Sequence, residues 1–344
     1  MPLEPAPSNP SSSKRSRRSL ARRVWAFLVG CLGLAVLAGV VLVIVSWFVG
    51  DTSLWWQMIS WVPAIAVVPV LGGSLFLAVA VGGWFGNLLR SALLLGLLFM
   101  VSWVCGVDYG LFRARQPQAT DGTLVHWNSG SLWGIKSTND VVEDMIGLDP
   151  DLLVVTNPGS KLWTKSTQDY HRSWKYVARN YGALVMSRFP IRECRVVLAA
   201  KGVLVVKIVA QIHDDWWDIW AVDLPSRPGL VRSDVFDDLR RRLDLLELDP
   251  PDIILGDFNV PRNSRSLHKA FPEMKNAFDQ VGVGWHATWP SGFPLWQLDQ
   301  VLLGPRVEGV RYQIFPSSFG AHRIQQAIIR PAERSLAPVE VSQP

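Results

Sequence analysis

Charge is scarce in this chain, and cysteine scarcer. Only 18% of the 344 residues are Asp, Glu, Lys or Arg, against about 25% in an ordinary soluble domain. Three cysteines, Cys31, Cys105 and Cys194, are too few for a disulfide-stapled scaffold. Two of them fall in long apolar runs, which leaves Cys194 alone in the polar part of the chain. No internal repeat is visible, so solenoids and propellers are set aside. His126, His171, His213, His268 and His286 lack any His-x₃-His spacing and read as structural or solvent-facing rather than as zinc ligands. An evenly basic surface is missing as well. Lys and Arg exceed Asp and Glu by 34 to 29, yet Lys14, Arg15, Arg17, Arg18, Arg22 and Arg23 face only Glu4 in residues 1–23. Residues 24–110 hold Arg90, Asp51 and Asp108, and residues 111–344 are left nearly neutral. Composition therefore gives no support to a nucleic-acid-binding domain.

What the chain does have is long apolar runs. Residues 1–13 are rich in Pro and Ser, and residues 1–23 are expected as a disordered basic tail. Val24–Gly50 then runs without a charge, long enough for a spanning helix of about 20 residues. Thr52–Leu89 is too long for one helix, and Gly82-Gly83 with Gly86-Asn87 offers a break. About three transmembrane helices are expected within residues 24–110: the first over Val24–Gly50, the others near Trp61–Val81 and Leu88–Val107. Ser16-Arg17-Arg18-Ser19-Leu20 resembles a twin-arginine export signal. The apolar run exceeds the roughly 7–15 residues of a signal's hydrophobic region, which favours a retained anchor. With the basic tail cytoplasmic, three spans put the C-terminal domain outside the cytoplasm; two would reverse that side. Arg113 and Arg115, just beyond the third span, weigh slightly against the assignment. The spans hold almost no intramembrane charge, which disfavours a transport pathway.

After a linker over residues 111–121, the polar part reads as one domain over residues 122–332 and a flexible tail over 333–344. Strands are expected at Thr123–Trp127, Asp151–Thr156, Gly182–Ser187, Cys194–Ala199, Val203–Gln211, Trp216–Leu224, Asp252–Gly256, Gln297–Leu303, Gly309–Phe315 and Ile324–Arg330. Helices are expected at Asp140–Gly147, Arg232–Leu248 and about Ser266–Val281. In the second of these, Val235, Leu239, Leu243 and Leu246 repeat at the spacing of one buried face. Many strands and few helices predict an α/β (α+β) four-layer sandwich, two packed β-sheets flanked by helices.

The most informative stretch is Pro251-Asp252-Ile253-Ile254-Leu255-Gly256-Asp257-Phe258-Asn259. An apolar strand delivers a carboxylate and an amide two residues apart, on one side of an extended chain. Such a pair can orient water and hold a phosphoryl oxygen; it is also what an ordinary Asx turn at a strand end looks like. Asp299 interrupts the apolar run Leu298–Leu303, and His322 precedes the last strand. Together they could form a carboxylate–imidazole pair, although spacing alone does not bring them together.

The order of these pieces resembles the endonuclease/exonuclease/phosphatase superfamily, the deoxyribonuclease-I-like fold. The resemblance covers about residues 122–332. It is carried by Val125-His126-Trp127-Asn128, Pro150–Val155, Tyr181–Ile191, Gly256–Asn259, Thr288-Trp289-Pro290, Leu298-Asp299 and Ala321-His322-Arg323. It implies metal-assisted phosphoester hydrolysis, with Asn128 beside the metal and Asp257 directing the attacking water. Asn259 would hold the phosphate, and His322, oriented by Asp299, would contact it. Three positions depart from the pattern. Asn157 follows the second strand where a metal-binding glutamate is expected, Asp223 replaces a histidine, and Ala321 replaces an aspartate. Mg²⁺ favours carboxylate oxygens, so Asn128, Asn157 and Asp223 make an eroded site for a divalent cation. The resemblance thus leaves two readings: a membrane-anchored phosphoester hydrolase, or a catalytically inactive relative that binds a ligand or partner in the same cleft. The domain's neutrality favours a lipid head group or small phosphoester over nucleic acid, and nothing in the sequence calls for an obligate protein partner.

Overall fold

The structure, a computed structural model, describes residues 11–332 except 112, 114–115, 131–144, 146, 159–169, 171 and 319, with side chains from residue 20 onward. The helix expected at Asp140–Gly147 lies outside the described residues apart from Met145 and Gly147. His171 and the tail over 333–344 lie outside them too. The chain divides into two compact units, one of residues 1–48 and 62–104, the other of residues 49–61 and 105–344.

The first unit is helical. Helix α1 (Ser11–Val49) takes in the whole basic cluster. From Ser11 the expected disordered tail is therefore helical, because Lys and Arg are good helix formers and extend the apolar helix behind them. The apolar part of α1, Leu20–Val49, is one of two helices long and apolar enough to cross a membrane; Gly83–Asp108, begun by α4 (Gly83–Trp103), is the other. The middle span expected at Trp61–Val81 is occupied by α3 (Ala64–Leu77, continued by a 3₁₀ turn to Ala80). The short α2 (Leu54–Ser60) before it belongs to the second unit, and the two would make one span only as a bent pair. Pro63 sits at the break and Pro69 inside α3. At 1.5 Å per residue the 14-residue α3 and its 3-residue extension reach about 25 Å, short of a hydrocarbon core of about 30 Å. The number of candidate spans is thus two, or three if the bent pair counts as one. Leu71, Leu93 and Met100 are fully buried between α3 and α4. Arg90 donates to the carbonyls of Ala78 and Val81 at 3.0 and 2.9 Å, where the helix ends.

The second unit is built on two six-stranded sheets. In chain order the strands are β1 (Gly122–Asn128), β2 (Leu152–Thr156), β3 (Tyr176–Arg179), β4 (Ala183–Ser187), β5 (Ile191–Ala200), β6 (Val203–Ile212), β7 (Asp215–Asp223), β8 (Ile253–Asp257), β9 (Lys275–Asn276), β10 (Asp299–Leu303), β11 (Val307–Phe315) and β12 (Ile324–Pro331). One sheet has the order β11-β12-β1-β2-β4-β3, the other β5-β6-β7-β8-β10-β9. All ten expected strands are present. The helix expected over Ser266–Val281 is instead two short helices, α6 (Arg265–Ala270) and α7 (Ala277–Val281), with Pro272 and β9 between them. Helix α5 (Arg232–Asp244) starts where the periodicity placed it but ends short of Leu248, which leaves Leu246 beyond the helix and exposed.

Three layers of apolar contact explain why the central strands read as continuous apolar runs rather than alternating ones. Between the sheets, Leu124, Leu152, Val154 and Val185 meet Ile208, Ala221, Leu255 and Val301. On the outer face of the second sheet, Val222, Ile254 and Leu302 pack with Phe236, Leu239 and Leu243 of α5 and with Phe258 and Leu267. On the outer face of the first, Trp127, Leu153, Val155 and Met186 form a smaller cluster. The opposite face of α5 carries the pairs Arg240–Asp244, Arg241–Asp238 and Arg242–Asp238, the solvated face its charge pattern implied.

Residues 49–61 belong to this second unit although they lie between apolar helices. Asp51 is 1% exposed; its carboxylate accepts from Ser264 Oγ at 2.6 Å and Ser266 N at 2.9 Å. Buried Gln57 donates to the carbonyls of Pro228 and Leu230, each at 3.1 Å, and accepts from Arg232 N at 2.9 Å. Trp296 Nε1 donates to the Trp61 carbonyl at 2.7 Å. Gly50 has φ +73°, and a β-carbon there would lie 2.5 Å from Arg265 Cβ, so only glycine lets the strap approach this closely.

Candidate active site

Strand register gathers the acidic residues. Asp223 ends β7 and is the parallel partner of Asp257 at the end of β8; Asp257 is in turn the antiparallel partner of Asp299 at the start of β10. Three neighbouring strands thus place three carboxylates in one row. Gly256 makes the row possible. Its φ is +138° and a β-carbon would stand 1.9 Å from the Val222 carbonyl oxygen, a position no other residue can occupy without moving the backbone.

The other sheet supplies the facing groups. Asn128, at the end of β1, donates from Nδ2 to Asp257 Oδ2 at 2.9 Å. Its Oδ1 accepts from Gly130 N at 3.0 Å and Asn157 Nδ2 at 3.3 Å. Asp257 Oδ1 accepts from Asn259 N at 2.9 Å, and Asn259, with φ +52°, donates from Nδ2 to the Leu224 carbonyl at 2.8 Å. His322, on the loop before β12, directs Nδ1 to Asp299 Oδ2 at 2.7 Å and presents Nε2 to Asp257 Oδ2 at 3.8 Å. Asp299 is held from behind: its backbone N–H and that of Leu298 both donate to Thr288 Oγ1, at 3.2 and 3.1 Å. Trp127 Nε1 donates to the His322 carbonyl at 3.3 Å.

The result is a cleft of about 310 Å³ lined by Asn128, Gly130, Asn157, Gly202, Asp223, Leu224, Pro225, Ser226, Asp257, Asn259 and His322. Six of the seven sequence-predicted residues line it: Asn128, Asn157, Asp223, Asp257, Asn259 and His322. The seventh, Asp299, is fully buried behind His322. Sequence reasoning gave no role to Thr288, although Thr288-Trp289-Pro290 stood out as a motif, and it overlooked Gly130, Gly202, Pro225 and Ser226. His126 is buried as a structural residue, with its ring nitrogens against Thr156 Oγ1 at 3.1 Å and Gln325 Nε2 at 2.6 Å.

Charge in the cleft is unevenly balanced. Burial works against a protonated His322, but the charge and hydrogen bond of Asp299, aided by Asp257 and Asp223, prevail and raise the imidazole to about 9. Burial would raise Asp299, yet His322 holds it below its ordinary value. The pair is therefore imidazolium and carboxylate at neutral pH. Asp257 is pushed well above the usual carboxylate range, first by burial and then by the Asp299 charge, with His322 opposing. Asp223 is raised to about 6, mainly by burial, against a hydrogen bond from Asn157. One imidazolium thus faces three acidic side chains, of which Asp299 alone is shifted toward its charged form. Among the described residues, Asp257, Asp299 and His322 also form the group whose ligand atoms lie within 4.8 Å of one another.

Such a cleft can fix a water against one carboxylate and present a cationic N–H to an anion beside it. The 3.8 Å between His322 Nε2 and Asp257 Oδ2 exceeds a direct hydrogen bond.

Comparison with known proteins bears on the fold and the family. No curated protein sequence matches the chain. Solved structures of similar fold include a D. rerio TDP2 complexed with single-strand DNA product, at 11% identity and TM-score 0.45, covering 61% of this chain and 99% of that one. A Bacteroides thetaiotaomicron mannosyl-6-phosphatase has 13% identity and TM-score 0.48, covering 60% and 99%. An endonuclease/exonuclease/phosphatase from Bacteroides vulgatus has 12% identity and TM-score 0.47, covering 61% and 99%. The family model described as endonuclease/exonuclease/phosphatase matches residues 120–319, more than half of the chain and the whole of the carboxylate row. By that match the chain belongs to the endonuclease/exonuclease/phosphatase family.

Proposed function

We propose that this protein is a membrane-anchored phosphoester hydrolase. The observation that carries the reading is the meeting of two strand-end pairs, Asn128–Asp257 and His322–Asp299, at the floor of one cleft. Asp257 accepts the proton of an attacking water as its oxygen bonds to phosphorus. Asn128 and the Asn259 N–H hold the carboxylate in place. His322, kept protonated by Asp299, stabilises charge on the phosphoryl oxygens. The bond to the leaving oxygen breaks, and that oxygen takes its proton from water at the open mouth of the cleft.

A divalent cation, Mg²⁺ first among them, fits the residues present. Asp223 and Asp257 stand side by side at the ends of neighbouring strands and both line the cleft, and Mg²⁺ typically binds through one or two carboxylates with water and substrate phosphate. Asp223 and Asp257 would hold it, with the Asn157 amide oxygen beside them. Asn128 contributes less, because its oxygen already accepts two hydrogen bonds. When bound, the cation would add charge stabilisation at the phosphoryl oxygens. The inactive, ligand-binding reading has its own observation: Asn157 and Ala321 replace two family carboxylates with neutral groups. The near-neutral domain favours a lipid head group or small phosphoester as substrate.

Chain connectivity supports placing the domain across the membrane from the N-terminus. The strap 49–61 and the chain from Cys105 both belong to the second unit. The segment 62–104 between them leaves that unit and returns to it, whether it crosses fully or only enters the bilayer. Crossing by α1 then sets the side, and a basic cytoplasmic N-terminus puts the domain outside. A C-terminal reporter that fluoresces only in the cytoplasm should stay dark, and a bright signal overturns the orientation.

The test of function uses the full chain in detergent, because the strap is part of the folded unit. Hydrolysis of bis-p-nitrophenyl phosphate, phospholipid head-group esters and DNA is measured with Mg²⁺, Mn²⁺ or Ca²⁺. Turnover lost in Asp257→Ala and His322→Ala supports the hydrolase; silence across all metals and substrates favours the binding reading.

A further inference from the structure

A second and larger cavity, about 560 Å³, adjoins the cleft and shares Asn157, Gly202 and Asp223 with it. The neighbouring wall is the turn between β5 and β6. Ala200 pairs with Val203, so Lys201-Gly202 is a two-residue loop, and both residues have positive φ, +53° and +81°. Such a turn is filled most readily by Asn-Gly or Gly-Gly. A lysine in the left-handed region carries a conformational cost, and strain of this kind concentrates where a side chain is needed for function.

One carboxylate feels the charge of that lysine, Asp238 on α5. Among the described residues Lys201 makes no ion pair. Asp238 is already held by Arg241 and Arg242. Tyr181, 84% exposed, forms another part of the wall, an aromatic face that no apolar core accounts for. The cavity is of the size that takes a ring-sized group, and it opens beside the place where the phosphate would be held.

We infer that Lys201 and Tyr181 form a specificity subsite for the remainder of the substrate, and that this remainder carries a second anionic group next to the scissile phosphate. The inference rests on the reading of the adjoining cleft as the phosphate site. Lys201 supplies a point charge to the second anion, as lysine does for phosphates generally, while Tyr181 offers a face for the ring that bears it. Two sources share this chemistry: a phosphorylated polyol of the head-group kind, and the next phosphate of a nucleotide strand.

The test measures equilibrium binding to the full chain in detergent micelles by calorimetry, so it does not depend on turnover. The probes are inorganic phosphate, inositol 1,4-bisphosphate and the 5′-phosphorylated dinucleotide pTpT. A two-anion probe should bind at least about tenfold more tightly than inorganic phosphate. Lys201→Asn should remove about tenfold of that affinity, leave inorganic phosphate binding unchanged and raise the melting temperature, because Asn suits the turn. Lys201→Arg should keep the affinity, and Lys201→Gly should repeat the Asn result if that variant folds poorly. The tighter of the two larger probes identifies the source. The subsite is refuted if neither probe binds more tightly than phosphate, if Lys201→Asn leaves their binding unchanged, or if it weakens phosphate equally. Phosphate binding that His322→Ala does not disturb counts against the hydrolase reading instead, and a selective Lys201 effect stands apart from it.

Discussion

Replacing Asp299 by Asn removes the charge that keeps His322 protonated while preserving the shape of the pair. In the wild-type protein the imidazole is raised from 6.5 to about 9, a difference worth about 3 kcal/mol between its protonated and neutral forms. The sign follows from linkage. A raised histidine binds its proton more tightly in the folded state, so its contribution to stability is full below pH 6.5 and is lost as the pH rises through about 9. Without the carboxylate, burial is the largest remaining influence and favours the neutral ring. The His322 resonance, assigned by its absence in His322→Ala, should titrate near 9 in wild-type protein in a ¹⁵N-histidine NMR titration of the full chain, and far lower in Asp299→Asn. Melting temperature should fall between pH 6.5 and 9 in wild type and lose most of that slope in the variant. Turnover should drop by about 10²- to 10³-fold, the range for losing one group that stabilises charge in the transition state. If His322 still titrates near 9 in Asp299→Asn, then Asp257 and Asp223 hold its proton and the pairing assigned to Asp299 is wrong.

Other substitutions probe neighbouring parts of the argument. Gly256→Ala should prevent folding of the second unit, because a β-carbon there meets the Val222 carbonyl at 1.9 Å; soluble protein of unchanged melting temperature would contradict this. Asp51→Ala removes two buried charge-assisted hydrogen bonds from the start of α6 and should cost about 3 kcal/mol, measured by chemical denaturation of the full chain in micelles. Asn157→Glu restores a carboxylate beside Asp223; cation affinity, read by Mn²⁺ titration, should rise about tenfold or more, and an unchanged affinity would place the cation elsewhere.

The sheets were legible because both of their faces are buried. Runs such as Leu152–Thr156 and Ile253–Asp257 stay apolar from end to end, and the turns that bound them are polar. Strand β3, Tyr176–Arg179, was missed because it is a short edge strand with alternating exposure and polar flanks. The Ser266–Val281 helix was over-extended because its apolar spacing survives the break at Pro272. In the site, Asp257 and Asn259 are close in sequence and so were readable together, but through the Asx turn and not the extended geometry. Asn259 lies past the strand with φ +52° and its N–H donates to Asp257 Oδ1. Asp299 and His322 are 23 residues apart, and only the β8–β10 register and the loop before β12 bring them to the same floor. Least legible was the strap. Asp51 is the one charged residue between Val24 and Leu89, and Gln57 is an amide in the same apolar stretch; that was the available signal that each has a buried partner. Their partners, Ser264, Ser266, Pro228, Leu230 and Arg232, lie far along the chain, where no spacing rule reaches.

The central claim is that Asp257 and His322 form a hydrolytic centre on phosphoesters. Its most direct test is the release of p-nitrophenol from bis-p-nitrophenyl phosphate by the full chain with Mn²⁺ or Mg²⁺, compared with Asp257→Asn prepared in parallel. The account predicts turnover by the wild-type protein and a loss of about 10³-fold or more in the variant under conditions where both proteins are folded. Equal rates in the two proteins would contradict it.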